Sequence, residues 1–163
     1  MRVMGIDPGS QCTGYGVVEE RDGELSAVHW DGIRCNTKAP FAQRLKVVYK
    51  ELSGVLEEYR PDAVAVEEMF FAKNAQSALK LGQTRGVALL AVAHAELPIG
   101  EYAPTAVKQS VTGYGRAGKE QVQSMVVQLL KLEEPPTPLD ASDALAIAIC
   151  HIHSANLINR LKV

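Results

Sequence analysis

Short apolar blocks separated by turn residues fill the first third of the chain, and helical spacing dominates most of the rest. Residues 2–7 predict a buried strand closed by the turn chemistry of Asp7-Pro8-Gly9-Ser10. Segments 13–19 and 25–33 carry Tyr, Val, Trp and Ile between the turn signals Arg21-Asp22-Gly23 and Asn36-Thr37-Lys38, which predicts a three-stranded antiparallel meander. The period then changes. From Phe41 to Tyr59, apolar residues recur at Leu45, Val48, Leu52, Val55, Leu56 and Tyr59, the spacing of a helix that Pro61-Asp62 ends. A compact strand at 63–67, a long helix from about 75 to 95 and a strand at 99–103 follow. Helices are predicted to open at Pro104-Thr105 and near Gly118. Residues 133–138 hold three prolines, which remove donors and fix φ, so they form a connector. A last helix runs from Leu139 or Asp140 to about residue 158.

Three meandering strands followed by alternating helix and strand predict an α/β fold, a mixed sheet with helices on both faces. If the first and fourth strands are parallel neighbours, Asp7 and Glu67 emerge at the same edge, where open α/β sheets place their ligands. Strand alternation separates Glu67 from its neighbour Glu68. Val3, Gly5 and Asp7 share one face and Ala63, Ala65 and Glu67 share another, so small residues lie below both acids and leave room for a packed helix. Glu68 points the other way and reads as solvated or structural.

A chain of 163 residues predicts one domain, 1–163, able to bury about two thirds of its unfolded surface. Apolar residues at 47% and charged residues at 22% exclude a disordered or fibrous class. No uninterrupted apolar run is longer than 87–93, which is far short of a bilayer span, and an acid at position 7 interrupts any signal-peptide core. A soluble, cytoplasmic protein is the expectation. Cys12, Cys35 and Cys150 make an odd set without a CxxC pair, which predicts reduced, buried thiols. The net charge of −2 argues against a nucleic-acid partner until its distribution is considered. Between positions 73 and 119 lie Lys73, Lys80, Arg85, Lys108, Arg116 and Lys119 against Glu96 and Glu101 alone. A basic middle and an acidic remainder suit a protein that presents one face to phosphate and holds cations elsewhere. A scatter of solvated charge is the alternative.

In Leu139-Asp140-Ala141-Ser142-Asp143, two acids three residues apart share one face of the first helical turn. Alone, they make an ordinary helix cap, as Asp7-Pro8-Gly9 alone makes a turn and Glu67 a rim acid. Together, four clustered acids would repel one another unless a cation sat among them. Carboxylate oxygens suit Mg²⁺ or Mn²⁺, and two such ions suit in-line displacement at a phosphodiester.

Gly5-Ile6-Asp7-Pro8-Gly9 with Thr13-Gly14-Tyr15-Gly16, Val66-Glu67 with Phe70, and Ala72-Lys73-Asn74-Ala75 through Ala78-Leu79-Lys80-Leu81-Gly82-Gln83 form one series of motifs. Val107-Lys108-Gln109, Gly113 with Gly115, Lys119 and Asp140-Ala141-Ser142-Asp143-Ala144-Leu145-Ala146 continue it. In order and spacing, the whole series resembles the RuvC-type Holliday-junction resolvases of the ribonuclease-H-like superfamily. The resemblance implies a five-stranded mixed sheet, with the three-strand meander joined by two parallel strands. It also implies a crossover junction endodeoxyribonuclease that makes paired nicks with 5′-phosphate, ligatable ends. It places the four metal-binding acids on Asp7, Glu67, Asp140 and Asp143, with Mg²⁺ (or Mn²⁺), two ions per site. It puts the family's two lysines on Lys108 and Lys119 and a base-contacting aromatic on Phe70. Lys73, Lys80 and Arg85 are read as further DNA contacts from the basic stretch.

A four-way junction presents two strands of like polarity, and one chain supplies one set of acids, so paired incision predicts a two-fold homodimer. The stretch 86–93, rich in small residues, is read as burying against the sheet or against a partner helix. The resemblance adds a branch-migration motor as partner. A ribonuclease acting on RNA-containing duplexes, a phosphate-binding lobe of the actin and sugar-kinase type, and a junction-binding protein without catalysis are the competing readings.

Overall fold

A computed structural model of the protein describes residues 1–68 and 74–161. Its strands are β1 (Arg2–Asp7), β2 (Cys12–Arg21), β3 (Glu24–Arg34), β4 (Ala63–Glu67) and β5 (Ile99–Tyr102). Its helices are α1 (Phe41–Tyr59), α2 (Ala75–His94), α3 (Pro104–Thr112), α4 (Lys119–Leu129) and α5 (Leu139–Leu161). They fall where the apolar periodicity puts them. The last helix runs further than expected, to Leu161.

Local chemistry explains the boundaries. Asp22 and Gly23, with φ of 55° and 82°, make the tight turn between β2 and β3 that requires positive φ at both central positions. Arg60 closes α1 in the left-handed conformation, its N–H donating to Leu56 at 3.0 Å, and Pro61 cannot continue the helix. The Asn74 side chain caps α2 by accepting from the N–H groups of Gln76 and Ser77.

The sheet has the order β3-β2-β1-β4-β5. β1 to β3 pair antiparallel, and β1 with β4 and β4 with β5 pair parallel. Each face carries its own core. Met4, Ile6, Val17, Val64 and Val66 pack against Val48, Leu52 and Leu56 of α1 and Ala88, Ala91 and Val92 of α2. Val3, Val18 and Ala65 point the other way, onto α5 with α3 and α4 behind it. The stretch 86–93 therefore divides: Ala88, Ala91 and Val92 are buried within the chain, whereas Gly86 and Leu90 are exposed.

Leu139–Ile158 of α5 is long and apolar enough to cross a membrane by length and composition alone, yet 56% of its most apolar window is buried inside the protein. Its apolar residues are those that cover the sheet. The expectation of buried thiols holds for Cys150 only. Cys12 and Cys35 are half-buried, because one opens β2 at the sheet's end and the other follows β3; all three are free thiols.

Candidate active site

The site begins with the absence of side chains. A Cβ on Gly5 would overlap the carbonyl oxygen of Ala144, and one on Gly14 would overlap that of Asp140. Glycine at both positions lets the backbone of α5 lie directly on β1 and β2, closer than any side chain would allow. Ala141, Ala144 and Ala148 supply the thin helix face that this approach needs.

The acids follow from that packing. Asp7 ends β1, and Glu67 ends β4 one residue beyond the register pair of Ile6 with Val66, so the two carboxylates leave the sheet side by side. Asp140 and Asp143 lie in the first turn and a half of α5, which sits on this face. Asp7, Glu67 and Asp143 line one cleft of about 180 Å³ with Lys108 of α3, Lys119 of α4 and the apolar walls Val107 and Val122. Glu68 is exposed, as alternation requires. A larger groove of about 460 Å³ between α1 and α2 contains one acid, Glu57, so size does not mark the chemistry.

The electrostatics show how crowded the charges are. Burial, then the nearby Asp143, Glu67 and Asp140 carboxylates, push Asp7 up to about 8, and only Lys119 opposes them. Burial and Asp143 raise Glu67 as well, with Lys108 and Lys119 pulling the other way. The Lys119 ammonium donates to Asp143 Oδ2 at 2.7 Å, and this contact holds its pKa above the ordinary lysine value. Among the described residues, no three acid, histidine or cysteine side chains are drawn in around one point.

Asp140, outside the lining of that cleft, is near enough to raise Asp7, and its carboxylate also acts on the Cys12 thiol. Burial, then the Asp140 carboxylate, push the Cys12 thiol up to about 11, so it stays protonated. In sequence alone, Cys12 is a packing residue. Only the β2–α5 contact brings it to Asp140.

The predicted phosphate contacts separate. Lys108 and Lys119 stand in the cleft. Lys80 is exposed on α2, outside the cleft lining. Arg85 is mostly buried, with its guanidinium on the Glu67 carbonyl and the Glu101 carboxylate. Phe70 and Lys73 lie outside the described residues.

A five-stranded mixed sheet with acids at the ends of β1 and β4, faced by more acids on a helix, is the architecture of ribonuclease-H-like nucleases. The family model for crossover junction endodeoxyribonuclease RuvC matches residues 3–151, and the chain belongs to that family. The Geobacter sulfurreducens crossover junction endodeoxyribonuclease RuvC is 56% identical over 162 residues, covering 99% of this chain and 98% of that protein. Thermus thermophilus RuvC, solved in complex with Holliday junction substrate, superposes with a TM-score of 0.92 at 38% identity, covering 96% of each chain. The yeast mitochondrial resolvase Ydc2 shares the fold, with a TM-score of 0.69 at 12% identity over 97% of this chain and 82% of its own.

Proposed function

We propose that this protein resolves Holliday junctions in homologous recombination and DNA repair, nicking two strands of like polarity at symmetric positions by metal-assisted phosphodiester hydrolysis. The observation that carries the reading is the convergence of Asp7, Glu67 and Asp143 with Lys108 and Lys119 in one cleft. The junction-bound relative supports the choice of substrate.

Asp7, Glu67, Asp140 and Asp143 are the ligands in this reading, for Mg²⁺ or Mn²⁺ and two ions per site. Every donor is a carboxylate oxygen, the hard ligand such cations take. Asp7, whose carboxyl burial and the neighbouring acids raise to about 8, would bind a cation as the carboxylate. When bound, a divalent cation supplies Lewis acidity and offsets the charge that builds on the phosphate. The chain's own groups do the rest. Lys108 and Lys119 hold the scissile phosphate against the acids, and Val107 and Val122 form the apolar part of the cleft lining.

Two nicks need two sites, so the working form is a homodimer. Leu79, Gly86 and Leu90 are exposed on one side of α2 at seven- and four-residue spacing, a face fit for a second copy. A branch-migration motor that moves the junction is the further partner, and a chromosomal DNA substrate places the protein in the cytoplasm.

The test offers purified protein labelled four-way DNA, linear duplex and an RNA/DNA hybrid with Mg²⁺ or Mn²⁺, and maps the nicks. Symmetric paired incision confined to the junction is expected. Preferred cutting of the hybrid would make it a ribonuclease, and binding without cutting in either metal would remove the catalytic reading.

A further inference from the structure

The peptide unit that follows Glu67 is held at both ends. Its N–H, from Glu68, donates to the Tyr102 carbonyl of β5 at 2.8 Å. Its oxygen, from Glu67, accepts from Arg85 Nε of α2 at 3.2 Å. Arg85 is mostly buried, with 16% of its side chain exposed, and its terminal nitrogen is paired with Glu101, the β5 residue beside Val66.

Strand geometry explains why an arginine is needed there. Adjacent residues aim their backbone groups to opposite sides of a strand, so with the Glu68 N–H on β5 the Glu67 carbonyl faces β1. Ile6 lies beside Val66, which puts the next ladder donor at residue 8. That residue is Pro8, which has no N–H. The turn that ends β1 after Asp7 thus leaves the carbonyl of the neighbouring acid without its ladder partner, and a half-buried carbonyl needs one.

We infer that Arg85 is the positioning residue of Glu67: it replaces the donor that Pro8 lacks and fixes the peptide that sets the direction of the Glu67 side chain. Glu101 holds the guanidinium in place and balances its charge, so Arg85 acts through Glu67 and not on phosphate. The inference rests on the reading of Glu67 as a cation ligand.

The experiment compares Arg85→Met, Glu101→Gln and Glu67→Gln with the parent protein. It measures Mn²⁺ binding to the DNA-free protein by calorimetry, junction binding in EDTA, and cleavage against Mg²⁺ concentration. Arg85→Met is expected to weaken Mn²⁺ binding and raise the half-saturating Mg²⁺ by about tenfold, the usual effect of losing a group that orients a ligand. Its junction affinity is expected to stay at the parent value. Glu101→Gln should lower the melting temperature and leave Mn²⁺ binding unchanged, because the Arg85 donor remains.

Should Arg85→Met not fold, Arg85→Lys keeps the charge beside Glu101 without the Nε donor and is expected to show the same Mn²⁺ shift. Weakened junction binding with unchanged Mn²⁺ affinity, in either Arg85 variant, makes Arg85 a phosphate contact and overturns the inference. So does a parent-like response in both measurements. Glu67→Gln separates the two levels: if it binds Mn²⁺ and cleaves like the parent, the cation-ligand reading of Glu67 fails, whereas an inactive Glu67→Gln beside a parent-like Arg85→Met fails only the positioning role.

Discussion

Lys119 Nζ lies 2.7 Å from Asp143 Oδ2, so one cation of the chain already stands among the acids of the cleft. The pair is substantially exposed, with 58% of the lysine side chain accessible, and exposed pairs contribute little to stability, about 1 kcal/mol or less. Its effect falls on Asp7, whose pKa Lys119 lowers. Lys119→Met is therefore expected to change the unfolding free energy little while moving the acidic limb of the cleavage pH profile to higher pH. An unshifted limb, in a variant that still cleaves, would separate Lys119 from Asp7.

Asp7 also makes the metal-free protein sensitive to pH. Its carboxyl is raised from 3.8 to about 8, so the folded state binds more protons than the unfolded state between those values. Stability from this group is present in acid and is lost as pH rises through about 8. Melting temperature in EDTA is expected to fall across that window, and saturating Mg²⁺ is expected to restore it at the alkaline end. Calorimetric scans with and without the cation check both.

Asp7→Asn removes the charge that causes the problem. The variant is expected to melt higher than the parent in EDTA above neutral pH, to lose cleavage, and to keep junction binding. Retained cleavage would remove Asp7 from the ligand set.

Lys108 faces Glu67 and lowers its pKa. Lys108→Ala is expected to cut the cleavage rate by about 10²-fold, the scale of losing one preorganised charge-stabilising group. Its melting temperature should stay near the parent value. A rate loss matched by equal destabilisation would make the lysine structural.

Gly14→Ala tests the packing beneath the site. The added methyl meets the backbone of Asp140 and Ala141, not the end of a flexible side chain, so α5 must move. Overpacking of this kind costs about 1–3 kcal/mol. Urea unfolding should show the loss, and cleavage at saturating Mg²⁺ should fall in the molecules that remain folded.

The sequence made much of this legible for physical reasons. Turn residues bracket every strand of the meander, Pro61 follows the end of α1, and the prolines at 135, 136 and 138 fill the connector between α4 and α5, so element order followed from local chemistry. Alternation within β4 separated Glu67 from Glu68, and helical spacing paired Asp140 with Asp143. Arg85 shows where one dimension runs out. In a stretch rich in cations it reads as a phosphate contact, because neither the missing donor at Pro8 nor the approach of Glu101 is visible until β1, β4 and β5 lie side by side. Cys12 eluded the sequence likewise, since its partner Asp140 is far along the chain and meets it only through α5.

Gly5 and Gly14 touch α5 through main-chain atoms, so the spacing of the acids is written into backbone contact and not into the choice of side chains. The two faces of the sheet should consequently age at different rates. Substitutions among Val48, Leu52 and Leu56 of α1, which packs on the face away from α5, should be absorbed by repacking remote from the cleft. On the α5 side, a single methyl meets backbone and must shift the helix that carries Asp140 and Asp143, so sequence drift should be slow wherever helix and strand backbones meet.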